Sequence, residues 1–233
     1  MNKINKILLT ATVAAASVTL PACSDNDDSH TYLYGPFEEF ANIESNSESA
    51  VNFLVYDEED KTTLTLECYQ TELVDPQVYP TGSRVLITYN ITSAITSPNP
   101  MVEAIHLTNI TKAYMAPIET ALPSDFTPEN VQFTLVGTEP YKTGNYINMK
   151  VSLPAARERS FICVMKSEEG GVPSLQLLTS VIREADADYA GKREIYPVSI
   201  DISNVWDQTN SNTLDLIMNT TNFGNDSKFN FMR

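Results

Sequence analysis

Ser83-Arg84-Val85-Leu86-Ile87-Thr88-Tyr89-Asn90-Ile91 carries the side-chain alternation of a half-buried β-strand. Successive side chains of an extended strand point to opposite faces, so Val85, Ile87, Tyr89 and Ile91 share one side, and Arg84, Thr88 and Asn90 the other. The alternation returns in Asn145 to Leu153, where Ile147, Met149, Val151 and Leu153 oppose Asn148, Lys150 and Ser152. It returns again where Val198, Ile200 and Ile202 alternate with Ser199, Asp201 and Ser203. Each of these is expected to be a strand with one face in a core. A long, capped amphipathic helix is not written anywhere, and the best short candidate, Ile182 to Gly191, is too charged to bury a face. An all-β chain follows.

The strands fall into two groups. Five are expected near Phe37 to Ile43, Ala50 to Tyr56, Thr63 to Gln70, Ser83 to Thr92 and Glu103 to Met115. Asp57-Glu58-Glu59-Asp60 turns the second into the third, and Pro80-Thr81-Gly82 leads into the fourth. Five turn-linked strands of this length suit a small closed barrel. Seven more, near Val131 to Thr138, Asn145 to Leu153, Phe161 to Lys166, Ser174 to Ile182, Ile195 to Ile202, Thr213 to Met218 and Lys228 to Met232, suit a β-sandwich. Pro117, Pro123 and Pro128 interrupt pairing between the groups, which places the cut near Leu122: a barrel over residues 37–122 and a sandwich over 123–233.

The first 22 residues read as a signal peptide. Lys3 and Lys6 precede an uncharged stretch from Ile7 to Leu20 that is short for a membrane-spanning helix. It ends in Leu20-Pro21-Ala22-Cys23, which is similar to a lipobox, with Cys23 as the residue that takes the lipid; an ordinary cleaved signal beside an incidental cysteine is the plainer alternative. Residues 23–36 read as an acidic, flexible tether. Its opening, Ser24-Asp25-Asn26-Asp27-Asp28, resembles a signal that sends lipoproteins to the outer-membrane surface, although a solvated tether has the same composition. The expectation is a lipid-anchored outer-membrane protein, facing the cell surface rather than the periplasm.

Removal of the signal leaves 211 residues and takes two lysines, moving the formal charge from −15 to −17. Such a body repels nucleic acid and anionic lipid, which excludes DNA and RNA as partners. Of the three cysteines, Cys23 is assigned to the lipid. Cys68 follows Leu64 and Leu66 in phase and Cys163 lies between Phe161 and Met165, so both point into cores, and into different ones; buried free thiols are preferred over a disulfide.

Catalytic chemistry is poorly served. Only His30 and His106 are present, His30 lies in the tether, and His106 sits between Ile105 and Leu107 as a surface-facing strand residue. Zinc needs three or four His or Cys ligands. The Asp57–Asp60 cluster fits a solvated turn better than a calcium site, and Asp186-Ala187-Asp188-Tyr189-Ala190-Gly191 fails as a calcium loop at Ala190 and Pro197. Neither a metal nor a cofactor is expected. For ligand binding, Trp206 is the candidate platform, with Asn204, Asp207 and Gln208 beside it; Tyr69, Tyr79 and Tyr89 are candidates on a barrel face, since OB-type barrels bind oligosaccharides there. A core position for Trp206 is the stronger expectation.

The lipobox, the acidic turn, Tyr79-Pro80-Thr81-Gly82-Ser83-Arg84-Val85-Leu86-Ile87-Thr88-Tyr89-Asn90 and Asn145-Tyr146-Ile147-Asn148-Met149 together resemble the NigD-like lipoproteins. The resemblance spans nearly the whole mature chain and implies an N-terminal OB-type barrel followed by a C-terminal β-sandwich. The chain departs from that pattern around Leu175 to Ile182, where the family often carries a histidine-rich strand. The motifs are fold signatures: in Gly-x-Arg-Val-x-x-x-Tyr the glycine opens a turn and the apolar residues fill a barrel. The family takes its name from a bacteriocin locus and implies no activity for particular residues. The functional expectation is a non-enzymatic binding or interaction module at the cell envelope, with a protein or a neutral glycan as ligand; the alternative is a glycan-binding accessory lipoprotein of a polysaccharide-use system.

Overall fold

Alternating strands dominate residues 32–57, 61–92, 102–167, 172–185, 191–209 and 211–233, which are those the computed structural model describes. Thr31–Arg233 forms one compact unit. The lipobox with Cys23, the tether up to residue 31, His30, residues 58–60 of the acidic turn and residues 186–190 lie outside the described residues.

The first half is a closed barrel. Its strands are β1 (Tyr32–Asn46), β2 (Val51–Asp57), β3 (Thr62–Cys68), β4 (Arg84–Thr92) and β5 (Val102–Lys112), in the order β1-β2-β3-β5-β4 with β4 closing onto β1. β3 runs parallel to β5 and every other pair is antiparallel, the five-stranded Greek-key arrangement of an OB-type barrel. Register shifts within β1 let that one long strand pair with both β2 and β4. The inward set is the one the alternation predicts. Val85, Ile87 and Tyr89 join Val51, Phe53, Leu66, Cys68, Ile105 and Leu107 in a single barrel core.

The second half packs two five-stranded sheets face to face. One contains β6 (Tyr114–Met115), β13 (Arg193–Asp201), β10 (Tyr146–Pro154) and β8 (Thr134–Leu135), with β9 (Tyr141–Thr143) also on β10. The other has the order β15 (Gly224–Met232), β14 (Thr213–Thr220), β12 (Pro173–Glu184), β11 (Ala156–Ser167) and β7 (Ile118–Glu119). Between the sheets lie Ile147, Met149, Val151, Cys163, Leu175, Val198 and Leu216. Cys68 and Cys163 are free, buried thiols in separate cores.

Two expectations need correction. The boundary near Leu122 falls too late, because β6 already pairs with β13 and β7 with β11, so the change from barrel to sandwich comes between Lys112 and Tyr114. The prolines after it lie in a strap held down by Arg159, a buried residue that pairs with Glu129 and donates to the Pro154 carbonyl at 2.9 Å. The all-strand reading also passed over a short helix, α1 (Ser203–Gln208), whose first turn is tied by the Ser203 amide to Asp201 Oδ1 at 2.9 Å.

Candidate functional site

β4 reads as half-buried in sequence, yet Arg84, Val85, Leu86 and Ile87 are all buried. Arg84 and Leu86 lie on the outward face, and that face is covered by the sandwich. Phe40, Leu86 and Ala113 form a small apolar cluster there, with Tyr141 edge-on to Phe40 at 6.3 Å between centroids. Lys150 of β10 pairs with Glu38 of β1 across the same seam.

Arg84 pins the centre of this seam and is 7% exposed. Its Nη2 donates to Asn148 Oδ1 (3.0 Å), its Nη1 to Asn42 Oδ1 (3.2 Å) and its Nε, more weakly, to Ser199 Oγ (3.4 Å). The guanidinium lies over the Tyr146 ring at 4.2 Å. Ser199 Oγ also donates to Asn148 Oδ1 (2.7 Å), and Asn148 Nδ2 donates to Thr143 Oγ1 (2.7 Å), so the polar residues of β10 and β13 are organised around the cation. Burial lowers Arg84 to about 10, and it stays protonated at neutral pH.

Beside Arg84 opens a cleft of about 640 Å³ between barrel and sandwich. Tyr56, Tyr146 and Trp206 supply aromatic surface, Asn145 an amide, and Arg84 and Lys142 positive charge. Gly144 makes the close approach possible: its φ is +55°, and a Cβ there would sit 3.3 Å from the Tyr56 ring. A second, smaller cavity of about 400 Å³ lies beside β6 and β7 and is lined mainly by apolar groups, among them Met115, Pro117, Met165 and Val205.

The residues singled out from sequence do not converge. Trp206 is 5% exposed and belongs to the sandwich core, though one edge borders the cleft. Tyr89 is 4% exposed and turned into the barrel, where its hydroxyl donates to Glu39 Oε2 (3.1 Å) and burial raises its pKa; it cannot serve an outer binding face. Tyr69 is 47% exposed beyond the end of β3, its hydroxyl on Glu67 Oε2 (2.6 Å). Tyr79 is half-buried against the barrel, donating to the Ile110 carbonyl at 3.3 Å. His106 is half-buried on β5, opposite Asn90.

Sequence reasoning missed Tyr56, Lys142, Asn145 and Tyr146, and took Arg84 for part of a turn-and-barrel signature. Among the described residues no group of three or more His, Cys, Asp or Glu is placed to hold a metal ion, and no helix is long and apolar enough to cross a membrane.

No protein-family model and no curated protein sequence matches the chain. Solved structures do. A protein of unknown function from Bacteroides vulgatus superposes with a TM-score of 0.57 at 15% identity, over 84% of this chain and 90% of that one. A protein from Bacteroides fragilis described as a candidate lipoprotein gives 0.52 at 13%, over 85% and 96%. A NigD-like immunity protein from Bacteroides caccae gives 0.56 at 11%, over 86% and 93%. At such identities the likeness is one of fold, and in fold this chain is similar to that NigD-like protein over most of its length.

Proposed function

We propose that this chain is a lipid-anchored envelope protein, held through Cys23, that binds a ligand in the cleft between barrel and sandwich and carries out no catalysis. The cleft itself carries the reading. Aromatic faces, two amides and three cationic side chains, Arg84, Lys142 and Arg233, converge on about 640 Å³ of open space, the composition of a recognition site. His106 is the lone described histidine and does not line it. Support for the anchor is the Leu20-Pro21-Ala22-Cys23 pattern together with a fold shared with a candidate lipoprotein. Outer-membrane placement facing the cell surface belongs to the same proposal and rests on the acidic run after Cys23. The immunity role named for one structural relative stays with that relative.

The glycan-binding accessory role uses the same cleft. Tyr56 and Tyr146 offer stacking faces, and Asn145 can bond hydroxyls. Trp206 is the chain's single tryptophan and borders the cleft, so its emission reports on occupancy. Titrating the mature protein with cell-surface saccharides, neutral and acidic, is expected to give a saturable emission change for at least one, weakened at least tenfold by Asn145→Ala or Tyr56→Ala with the thermal midpoint kept. Binding that neither substitution alters, or a complete lack of response, would overturn the cleft as the site.

A further inference from the structure

We infer that the cleft takes a small, polyhydroxylated ligand carrying a compact oxyanion, a carboxylate or a phosphate, which docks against Arg84 and Lys142; this rests on the cleft being the binding site. The observation behind it is an unmatched charge. Buried guanidinium groups are normally met by carboxylates, because an ion taken out of water is costly unless an opposite charge replaces the lost hydration. Among the described residues Arg84 has no such partner. Its three acceptors, Asn42, Asn148 and Ser199, are all neutral, and among the described residues no carboxylate pairs with it. Asp201 acts on it only at a distance, and one Asp201 carboxylate oxygen accepts the Ser203 amide.

Arginine has five N–H donors, and three find acceptors, so two remain on a side chain that borders open space. Lys142 adds a second positive charge from the sandwich side and Arg233 a third, and among the described residues lining the cleft none is an aspartate or glutamate. In a chain with twice as many acidic as basic residues, a cleft whose described lining includes Arg84, Lys142 and Arg233 but no aspartate or glutamate runs against the overall composition. Planar guanidinium donors match the spacing of carboxylate and phosphate oxygens. The adjoining Tyr56 ring and Asn145 amide suit the hydroxylated remainder of such a ligand. The net negative charge of the whole protein slows the approach of an anion without removing the local attraction, since at physiological salt, charges beyond roughly 8 Å are screened.

The test titrates the mature protein with glucose, glucuronate, glucose 6-phosphate and inorganic phosphate, reading Trp206 emission and calorimetric heat. At least one of the two sugar anions is expected to bind tenfold or more tightly than glucose, and to weaken as salt is raised. A preference for glucuronate identifies a carboxylate ligand, and a preference for glucose 6-phosphate a phosphorylated one. Lys142→Gln, half-buried and outside both cores, is expected to weaken the sugar anion at least fivefold more than it weakens glucose, and Lys142→Arg to restore the anion's affinity. If glucose binds as well as both sugar anions, or Lys142→Gln changes nothing, the oxyanion is wrong while the cleft remains a binding site. Silence from all four probes, with neutral oligosaccharides also silent, overturns both.

Discussion

Replacing Arg84 sets two opposing effects against each other at the seam. Its fall from the ordinary guanidinium value to about 10 means that the folded protein disfavours the cation, relative to the unfolded chain, by about 3 kcal/mol at ~1.4 kcal/mol per tenfold change in proton affinity. Below pH 10 the guanidinium is charged in both states and this penalty is fully present. It is relieved only as pH climbs above about 10 towards the ordinary guanidinium value, where the unfolded chain still holds the proton that the folded one has released. Arg84→Met at neutral pH removes the charge and keeps most of the bulk, so it recovers those ~3 kcal/mol. Against that, Asn42 Oδ1 loses its donor, at about 1–3 kcal/mol, and the contact with the Tyr146 ring is lost, at about 1–2 kcal/mol. Asn148 and Ser199 keep their mutual bond.

The expected result is a variant within about 1 kcal/mol of the parent, from the near-cancellation of these contributions. Arg84→Ala leaves the same orphaned acceptor and also removes two methylenes, so it should fall about 2–3 kcal/mol below Arg84→Met. Urea unfolding followed by Trp206 emission and by circular dichroism measures both. A loss beyond about 3 kcal/mol in Arg84→Met would refute the reasoning, because the neutral acceptors would then satisfy the cation and leave no unmet charge for a ligand to answer.

Trp206→Ala should cost about 3–5 kcal/mol and unfold the sandwich near physiological temperature, seen as an early calorimetric transition, since the ring is core as well as cleft wall. Gly144→Ala should lower stability by about 1–2 kcal/mol from its left-handed backbone, and should weaken any cleft ligand as the Tyr56 ring is pushed aside. Tyr141, pushed up to about 12, and the raised Tyr89 contribute stability that is whole below pH 10 and is lost as pH rises through their folded values; the urea midpoint should therefore fall between pH 10 and 12, Arg84 alone opposing it. Cys23→Ala should move the protein from the membrane fraction to the soluble one, and a variant that still sediments would remove the lipid anchor from the proposal.

The barrel and the sandwich were legible because a period of two is a local property. Val85, Ile87 and Tyr89 point inward in any strand that buries one face, and every long strand of both halves was placed near its observed position. The short elements were not legible for the converse reason. β6 and β7 each have only two residues, too few to show a period, and they exist because distant strands offer them an edge, whereas the strand expected at Val131 to Thr138 is observed as the two-residue β8, Thr134–Leu135. Val205 and Trp206 in α1 look like the end of a strand for the same reason: one helical turn buries two residues and leaves no repeat. The boundary moved because prolines signal where pairing stops, whereas β7 pairs directly after Pro117 and the later prolines ride on a strap fixed by Arg159.

The cleft was hidden at a different level. Its residues are unremarkable in their own strands: Arg84 is a polar residue on an outer face, Tyr56 precedes a turn, and Lys142, Gly144 and Asn145 make a hairpin. Only the docking of one β structure on another turns that outer face into a wall, and only then does Arg84 become a buried charge with neutral partners. Intensity of patterning in sequence follows the cores, where burial is large and repeats. A site built at a seam leaves no period, because each strand contributes one or two residues to it. What such a site leaves instead is an inconsistency between levels, here a cation buried without a counter-charge among the described residues, and natural chains tend to keep inconsistencies of that kind where a ligand resolves them.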